Sequence, residues 1–433
     1  MQTQNMASDK PLQRAPLMSL DEALSQVLAQ VRVLTGTEQI AILDADGRFL
    51  AEDLISALQV PPQDNSSMDG YAVRTEDLAV PGVKLAVTQR IPAGQHGHAL
   101  MPGEAARIFT GAPIPPGANA VVMQEDTQTE EVESNTLGNP VVRVNVVPVL
   151  GQWIRRSGED VRRGDIVLSK GTRLNPASLG LAASIGRAHV SVVRKPRVAL
   201  FSTGDELVMP GEIAPEDMRP GAIYNSNRFF LRALLVRAGC AVTDLGIVPD
   251  NLADTLKVLK AASQDHDLVL TSGGVSVGEE DHVKPAVEQL GRLNLWQISM
   301  KPGKPFAFGQ LDSTDSANHV GAFFMGLPGN PVSSFVTFQL LVRPFLLALQ
   351  GQASKASNSY LMQANFDFPK PDRRREFLRV QRNAAGTLDL FPNQSSGVLT
   401  SVVWGDGVID NPSMQAIKQG DWVRYFPFAE WLQ

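Results

Sequence analysis

The chain is poor in cysteine, carries no excess of positive charge and has no uninterrupted apolar run of membrane-spanning length. One Cys, Cys240, in 433 residues excludes an internal disulfide framework and any Cys-based zinc or iron–sulfur centre. That usage suits a reducing compartment, and residues 1–17 are polar, so the expectation is a disordered tail on a cytoplasmic protein. Thirty-nine Lys and Arg against 45 Asp and Glu leave a net charge of −6. No cationic field covers the whole chain, which argues against nucleic acid as a partner. The most apolar stretch, 321–349, is interrupted by Asn330, Pro331, Gln339, Arg343 and Pro344, so no membrane span is expected. Neither G-x-x-x-x-G-K-[ST] nor G-x-G-x-x-G occurs, which disfavours P-loop hydrolysis and ordinary dinucleotide binding. The six His are scattered, and no Ser-His-Asp constellation can be assembled from them.

What the chain does hold is punctuation. Its 36 Gly and 29 Pro follow no period and belong to specific turns. Ser19 and Glu22 form a capping-box pattern, with apolar residues on one helical face at Leu20, Ala23, Leu24, Val27, Leu28 and Val31. From about 51 to 195 short β-rich runs alternate with Pro and Gly. From Pro196 onward, runs such as Val198–Phe201 and Leu268–Leu270 alternate with helical patterns, predicting βαβ units on a mainly parallel sheet over 196–349. A small-residue linker, 350–359, leads to a final β-patterned region.

Five predicted strand ends in the α/β region carry polar turns: 202–206, 248–250, 271–276, 301–304 and 327–331. Ligands of open parallel sheets bind outside the carboxyl ends of the strands, and glycine turns let backbone amides approach a phosphate. Acidic residues (Asp205, Glu206, Asp250, Glu279, Glu280, Asp281) stand there beside Lys301 and Lys304. Carboxylates need a hard cation such as Mg2+ to meet phosphate, and lysines can hold anionic oxygens directly. Asp250 and Asp281 are the candidate metal ligands, because each follows a strand end directly or through a glycine turn.

Two further loops carry a resemblance. Asp64-Asn-Ser-Ser-Met-Asp-Gly-Tyr-Ala72 and Arg107-Ile-Phe-Thr-Gly-Ala-Pro-Ile-Pro115 resemble the signature loops of the MoeA/gephyrin family, the molybdopterin molybdenumtransferases. Phe201–Leu207, Thr271–Gly278, Lys301–Pro305 and Leu327–Pro331 match the same family in order, over roughly 18–430. The resemblance implies a homodimer of multidomain α/β and β subunits. An N-terminal linker and dimerisation domain would take 18–60 plus 150–195, with a β-rich insertion at 61–149. A central α/β molybdopterin-binding domain would follow at 196–349, and a C-terminal β-barrel-like domain at 350–433.

The implied reaction takes adenylyl-molybdopterin and molybdate, releases AMP with Mg2+ assistance and leaves molybdenum on the pterin. The candidate catalytic residues are Asp64, Thr110, Glu206, Asp250, Asp281, Lys301 and Lys304. Gly204, Ser272, Gly273, Gly274, Ser276, Pro302, Gly303, Pro328, Gly329 and Asn330 would hold the pterin substrate, and Arg379 and Ser396 the oxyanion. Gln297 stands where family members often carry Lys, which implies weaker molybdate affinity. The expected partners are a molybdopterin adenylyltransferase and downstream molybdoenzyme maturation proteins. Pterin adenylation and a gephyrin-like scaffold are the competing readings. Arg373, Arg374 and Arg375 read as a solvated basic face.

Overall fold

A computed structural model describes residues 17–130, 140–275, 282–312, 321–352 and 358–432. The expected Ser276 and Asp281 lie outside these residues. The chain divides into two compact units, a smaller one of residues 39–46 and 50–192 and a larger one of residues 1–38, 47–49 and 193–433.

The smaller unit contains a six-stranded sheet of β1 (Gly70–Val73), β2 (Val83–Ile91), β3 (Glu104–Ile108), β4 (Ala120–Met123), β5 (Thr127–Glu130) and β6 (Val141–Val144). Its spatial order is β4-β1-β3-β2-β6-β5, antiparallel except for β2 against β3. Alternate residues serve opposite faces, as the two-residue strand period requires. Tyr71, Val73, Ala105 and Val122 join one apolar cluster, and Ala72, Ala106 and Val121 the other. A separate cluster gathers Leu50, Leu54, Val161, Leu174, Ile185 and Val192 around helix Pro176–Ser184. That helix starts as its sequence dictates: Pro176 sits in the first turn and Asn175 accepts from the Ser178 amide.

In the larger unit, Ser19 and Glu22 form the capping box of α1 (Leu20–Ala29), which buries Leu20, Ala23 and Val27. The α/β part follows as β7 (Arg197–Thr203), α2 (Asn227–Arg237), β8 (Ala241–Val248), α3 (Leu252–Asp265), β9 (Leu268–Ser272), α4 (Val283–Leu290), β10 (Gly291–Gln297), β11 (Met300–Lys301), β12 (Pro305–Leu311) and β13 (Phe323–Leu327). One six-stranded sheet runs β8-β7-β9-β13-β12-β10, parallel through β13 and antiparallel at β12 and β10. The run Val198–Phe201 is apolar without alternation because both sheet faces are covered. Val198 and Leu200 pack on the α1 and α2 side, while Ala199 and Phe201 pack on the α3 and α4 side.

The helix predicted over 331–349 is interrupted by a π-helical segment at Phe338–Val342, between α5 (Pro331–Thr337) and α6 (Arg343–Leu349). Pro344 has no amide to give the Leu340 carbonyl, so the ladder slips a residue ahead of it. The whole segment has the length and hydropathy of a membrane span, yet 78% of its 18-residue window is buried inside the unit. It is a core helix.

A second sheet ends the chain: β14 (Tyr360–Gln363), β15 (Arg375–Arg382), β16 (Leu388–Leu390), β17 (Gly407–Asn411) and β18 (Trp422–Pro427). Its order is β11-β15-β17-β18-β14, with β16 on β15. Strand β11 thus leaves the α/β part and pairs with the C-terminal sheet, Lys301 beside Glu376.

Candidate active site

The turns after β7, β9 and β13, the start of α2, the loop between β11 and β12, and the C-terminal loop 394–397 enclose one cleft of about 1040 Å3 in the larger unit. Of the residues singled out from sequence, Glu206, Ser272, Gly273, Lys301, Pro302, Gly303, Lys304, Pro328, Gly329, Asn330 and Ser396 line it.

Close approach by neighbouring atoms explains two of its glycines. Gly273 has φ 95°, and a Cβ there would stand 2.8 Å from the Thr203 carbonyl oxygen. Gly303, at φ 101°, leaves room for Thr337 Oγ1, which a Cβ would meet at 2.7 Å. A side chain at Gly273 would push the turns after β7 and β9 apart, and one at Gly303 would displace the Thr337 side chain.

Asn227 ties these turns together: its Nδ2 donates to Ser272 Oγ and to the Gly329 carbonyl, each at 2.7 Å. Asn225 lines the same wall; its Oδ1 accepts from the Arg228 amide, while its buried Nδ2 has no protein partner among the described residues. Sequence reading missed both asparagines. The signal was present, since Tyr224-Asn-Ser-Asn227 is a polar cluster at the start of a predicted helix that itself follows a strand end.

Cations dominate the charged lining, with Lys301, Lys304 and Arg374 against Glu206. Lys304 makes no ion pair among the described residues. Lys301 Nζ lies 3.2 Å from Glu376 Oε1 and 3.6 Å from Asp372 Oδ2. Arg374 grips both oxygens of Asp372, Nε to Oδ1 at 3.1 Å and Nη2 to Oδ2 at 2.9 Å. These hydrogen bonds hold the Asp372 carboxyl well below the usual carboxylate range. Arg373 is exposed as expected of a solvated face, but for Arg374 and Arg375 that expectation is corrected. Arg374 lines the cleft, and Arg375 is paired with Asp410 and Asp21.

Arg379 is not among the lining residues. It is 1% exposed and donates to Ser401 Oγ at 3.1 Å, the Phe377 carbonyl at 3.2 Å and the Ser395 carbonyl at 3.2 Å. Burial pushes its guanidinium down to about 10. Gln394 brackets the backbone of the same residue, accepting from its amide and donating to its carbonyl. Together they fix the loop whose Ser396 carbonyl accepts from the Val332 amide at 3.0 Å, one of the unpaired donors at the α5 start. Arg379 thus supports the cleft from behind.

Gly204 lies in the turn carrying Glu206, and Gly274 follows Gly273, but neither is among the lining residues. Asp250 follows β8 just before Asn251, the cap of α3, and Gln297 ends β10, its carbonyl accepting from the Met18 amide; neither lines the cleft.

Asp64 and Thr110 belong to the smaller unit. Asp64 accepts from the Ser157 amide at 2.8 Å and Arg156 Nη1 at 2.6 Å, and the Ser157 bond above all lowers its pKa. Thr110 donates through its amide (2.8 Å) and hydroxyl (2.7 Å) to Asp69 Oδ1, lowering the Asp69 pKa. Ser66 joins the two loops, its amide donating to the Ala112 carbonyl and its carbonyl accepting from Gly111.

Comparison with known proteins assigns the parts. The MoeA N-terminal region (domain I and II) matches residues 18–186, the "Probable molybdopterin binding domain" matches 199–348, and the MoeA C-terminal region (domain IV) matches 362–428. A molybdopterin molybdenumtransferase of Haemophilus influenzae is 45% identical over 337 residues, 78% of each chain. One from Nostoc sp. is 36% identical over 382 residues, covering 86% of this chain and 84% of its own. The crystal structure of a molybdopterin biosynthesis MoeA protein from Pyrococcus horikoshii OT3 superposes with a TM-score of 0.79 at 29% identity, covering 95% of this chain and all of that one.

Proposed function

This chain belongs to the MoeA family and is a transferase of molybdenum cofactor biosynthesis, and we propose that it inserts molybdenum from molybdate into adenylyl-molybdopterin with release of AMP. The observation that carries the reading is the cleft itself: the turns after three parallel strands, with Gly273 and Gly329 among their lining residues, share it with Lys301, Lys304 and Arg374. A pyrophosphate-linked pterin and an oxyanion are both anionic. Backbone amides at the turns and the helix starts favour negative charge, and the two lysines supply point charges to a phosphate whose bond to AMP breaks. Glu206 is the one carboxylate among the described residues that line the cleft. Ser396 presents its hydroxyl-bearing loop to the oxyanion, with Arg379 and Gln394 holding that loop.

Mg2+ would neutralise the pyrophosphate charge, with Asp250 and Asp281 as its expected ligands. Among the described residues no three His, Cys, Asp or Glu side chains converge on a metal position. A homodimer, with Asp64 and Thr110 serving a cleft across the subunits, belongs to the same reading, as do a cytoplasmic location and contact with a molybdopterin adenylyltransferase and downstream molybdoenzyme maturation proteins.

The deciding experiment incubates the purified protein with adenylyl-molybdopterin and molybdate, following AMP and pterin-bound molybdenum. Stoichiometric AMP release dependent on molybdate is the expected result. If no AMP is released and the protein instead converts molybdopterin and ATP to adenylyl-molybdopterin and pyrophosphate, adenylation replaces this reading; if neither reaction occurs, a scaffold role does.

A further inference from the structure

We propose that Glu376 is a positioning residue for Lys301, a buried carboxylate of the C-terminal sheet that holds the cleft lysine in place without touching substrate. The inference rests on the reading of Lys301 as an anion-contacting residue.

Glu376 is 1% exposed, and glutamate is almost never fully buried unless it is paired. Its Oε2 accepts from the Asp372 amide at 2.9 Å. Its Oε1 has no hydrogen-bond partner; Lys301 Nζ, 3.2 Å away, forms an ion pair outside hydrogen-bonding geometry. Among the described residues that ammonium is the one cation within ion-pair distance of Glu376. Arg374, which also feels the Glu376 charge, is committed to both oxygens of Asp372. A buried charge left without its partner is strongly unfavourable, so the fold favours Lys301 held against Glu376.

The backbone enforces the pairing. Strands β11 and β15 run parallel with Lys301 beside Glu376, and the preceding Met300 is fully buried. From that anchor the Lys301 side chain, 42% exposed, reaches the cleft lining, whereas Lys304 has no carboxylate among the described residues to hold it. Lysine is a flexible stem with three donors on a compact charge. Ordering it before substrate arrives removes part of the entropy cost from the binding step. The C-terminal sheet thereby acts on the reaction through Lys301.

A double-mutant cycle tests this. Glu376→Gln keeps the shape and the acceptor for the Asp372 amide but removes the charge. The expected result is a KM for adenylyl-molybdopterin raised about tenfold, with kcat changed less than about twofold and Tm nearly unchanged. In a Lys301→Gln background the same change should alter KM by less than about twofold, and Glu376→Asp should recover much of the native value. The proposal is overturned if Glu376→Gln is silent, or if its full factor persists without Lys301. Should Glu376→Gln fail to fold, Glu376→Met, which also removes the charge, takes its place in the cycle under the same criterion. If Lys301→Gln alone turns over like the native protein, the role of Lys301 itself falls and this inference with it. An impaired Lys301→Gln with additive effects overturns only the role of Glu376.

Discussion

A single amide group, Nδ2 of Asn227, joins the turns after two different strands, donating to Ser272 Oγ and to the Gly329 carbonyl at 2.7 Å each. Both hydrogens are used and the side chain is buried. Asn227→Ala leaves two acceptors unmatched, at about 1–3 kcal/mol each where the site cannot admit water. The expected outcome is a Tm lowered by several degrees and a pterin affinity reduced at least about tenfold, read by calorimetry. A variant with native affinity would show that the turns keep their spacing without it.

Arg379 distinguishes support from contact. Arg379→Met removes three donors but also a desolvated charge, so its stability loss should be modest. Burial lowers the folded-state pKa to about 10, so the penalty on the charged form is present below that value and is relieved as pH rises through it. Molybdate affinity should fall less than about tenfold in Arg379→Met and more than about tenfold in Lys304→Ala. Equal losses in titration calorimetry, with Tm untouched, would place the Arg379 guanidinium on the anion.

Much of this cleft was legible from sequence because it is built of local signals. A glycine turn after an apolar run announces a strand end wherever the fold places it, and Ser272-Gly273, Lys301–Lys304 and Pro328–Asn330 were found that way. Partnerships between distant residues leave no such mark. That Glu376 would sit beside Lys301 follows from the register between β11 and β15, and the burial of Arg379 goes with its place opposite Val408 on β17; no spacing in the chain encodes either. The π-helical segment was invisible too, although Pro344, its cause, was in view.

Cys240 should be inert. It is 6% exposed in the core, and burial, with the negative charge of Asp267 adding to it, pushes its thiol up to about 12. At pH 8 the thiolate is then scarce as well as inaccessible. A disulfide reagent should leave the native protein unmodified and label one thiol per chain in denaturant. Rapid labelling of the folded protein would show opening at the start of β8.

Thr110→Val separates loop bracing from chemistry in the smaller unit. It deletes the hydroxyl bond to Asp69 but keeps the amide bond to the same oxygen. With one anchor retained at an exposed loop, Tm should stay within about 2 °C. Turnover should fall at least about tenfold if the hydroxyl meets substrate. Native turnover with a lowered Tm would make Thr110 a brace only.

Asp372 predicts the acid limb of the stability curve. The Arg374 hydrogen bonds depress its carboxyl, with the Lys301 charge helping and burial opposing. A depressed carboxylate contributes stability that is fully present above the unfolded value of about 3.9 and is lost as pH falls below it. Tm recorded from pH 6 to pH 2.5 should therefore drop more steeply for the native chain than for Asp372→Asn, the two curves converging at the acid end. The Asn variant keeps the backbone amide that donates to Glu376 but offers Arg374 only one acceptor oxygen, so the difference should be largest near neutral pH and at low salt. Parallel curves would mean that the Arg374–Asp372 pair adds nothing to the fold and serves only to shape the cleft wall.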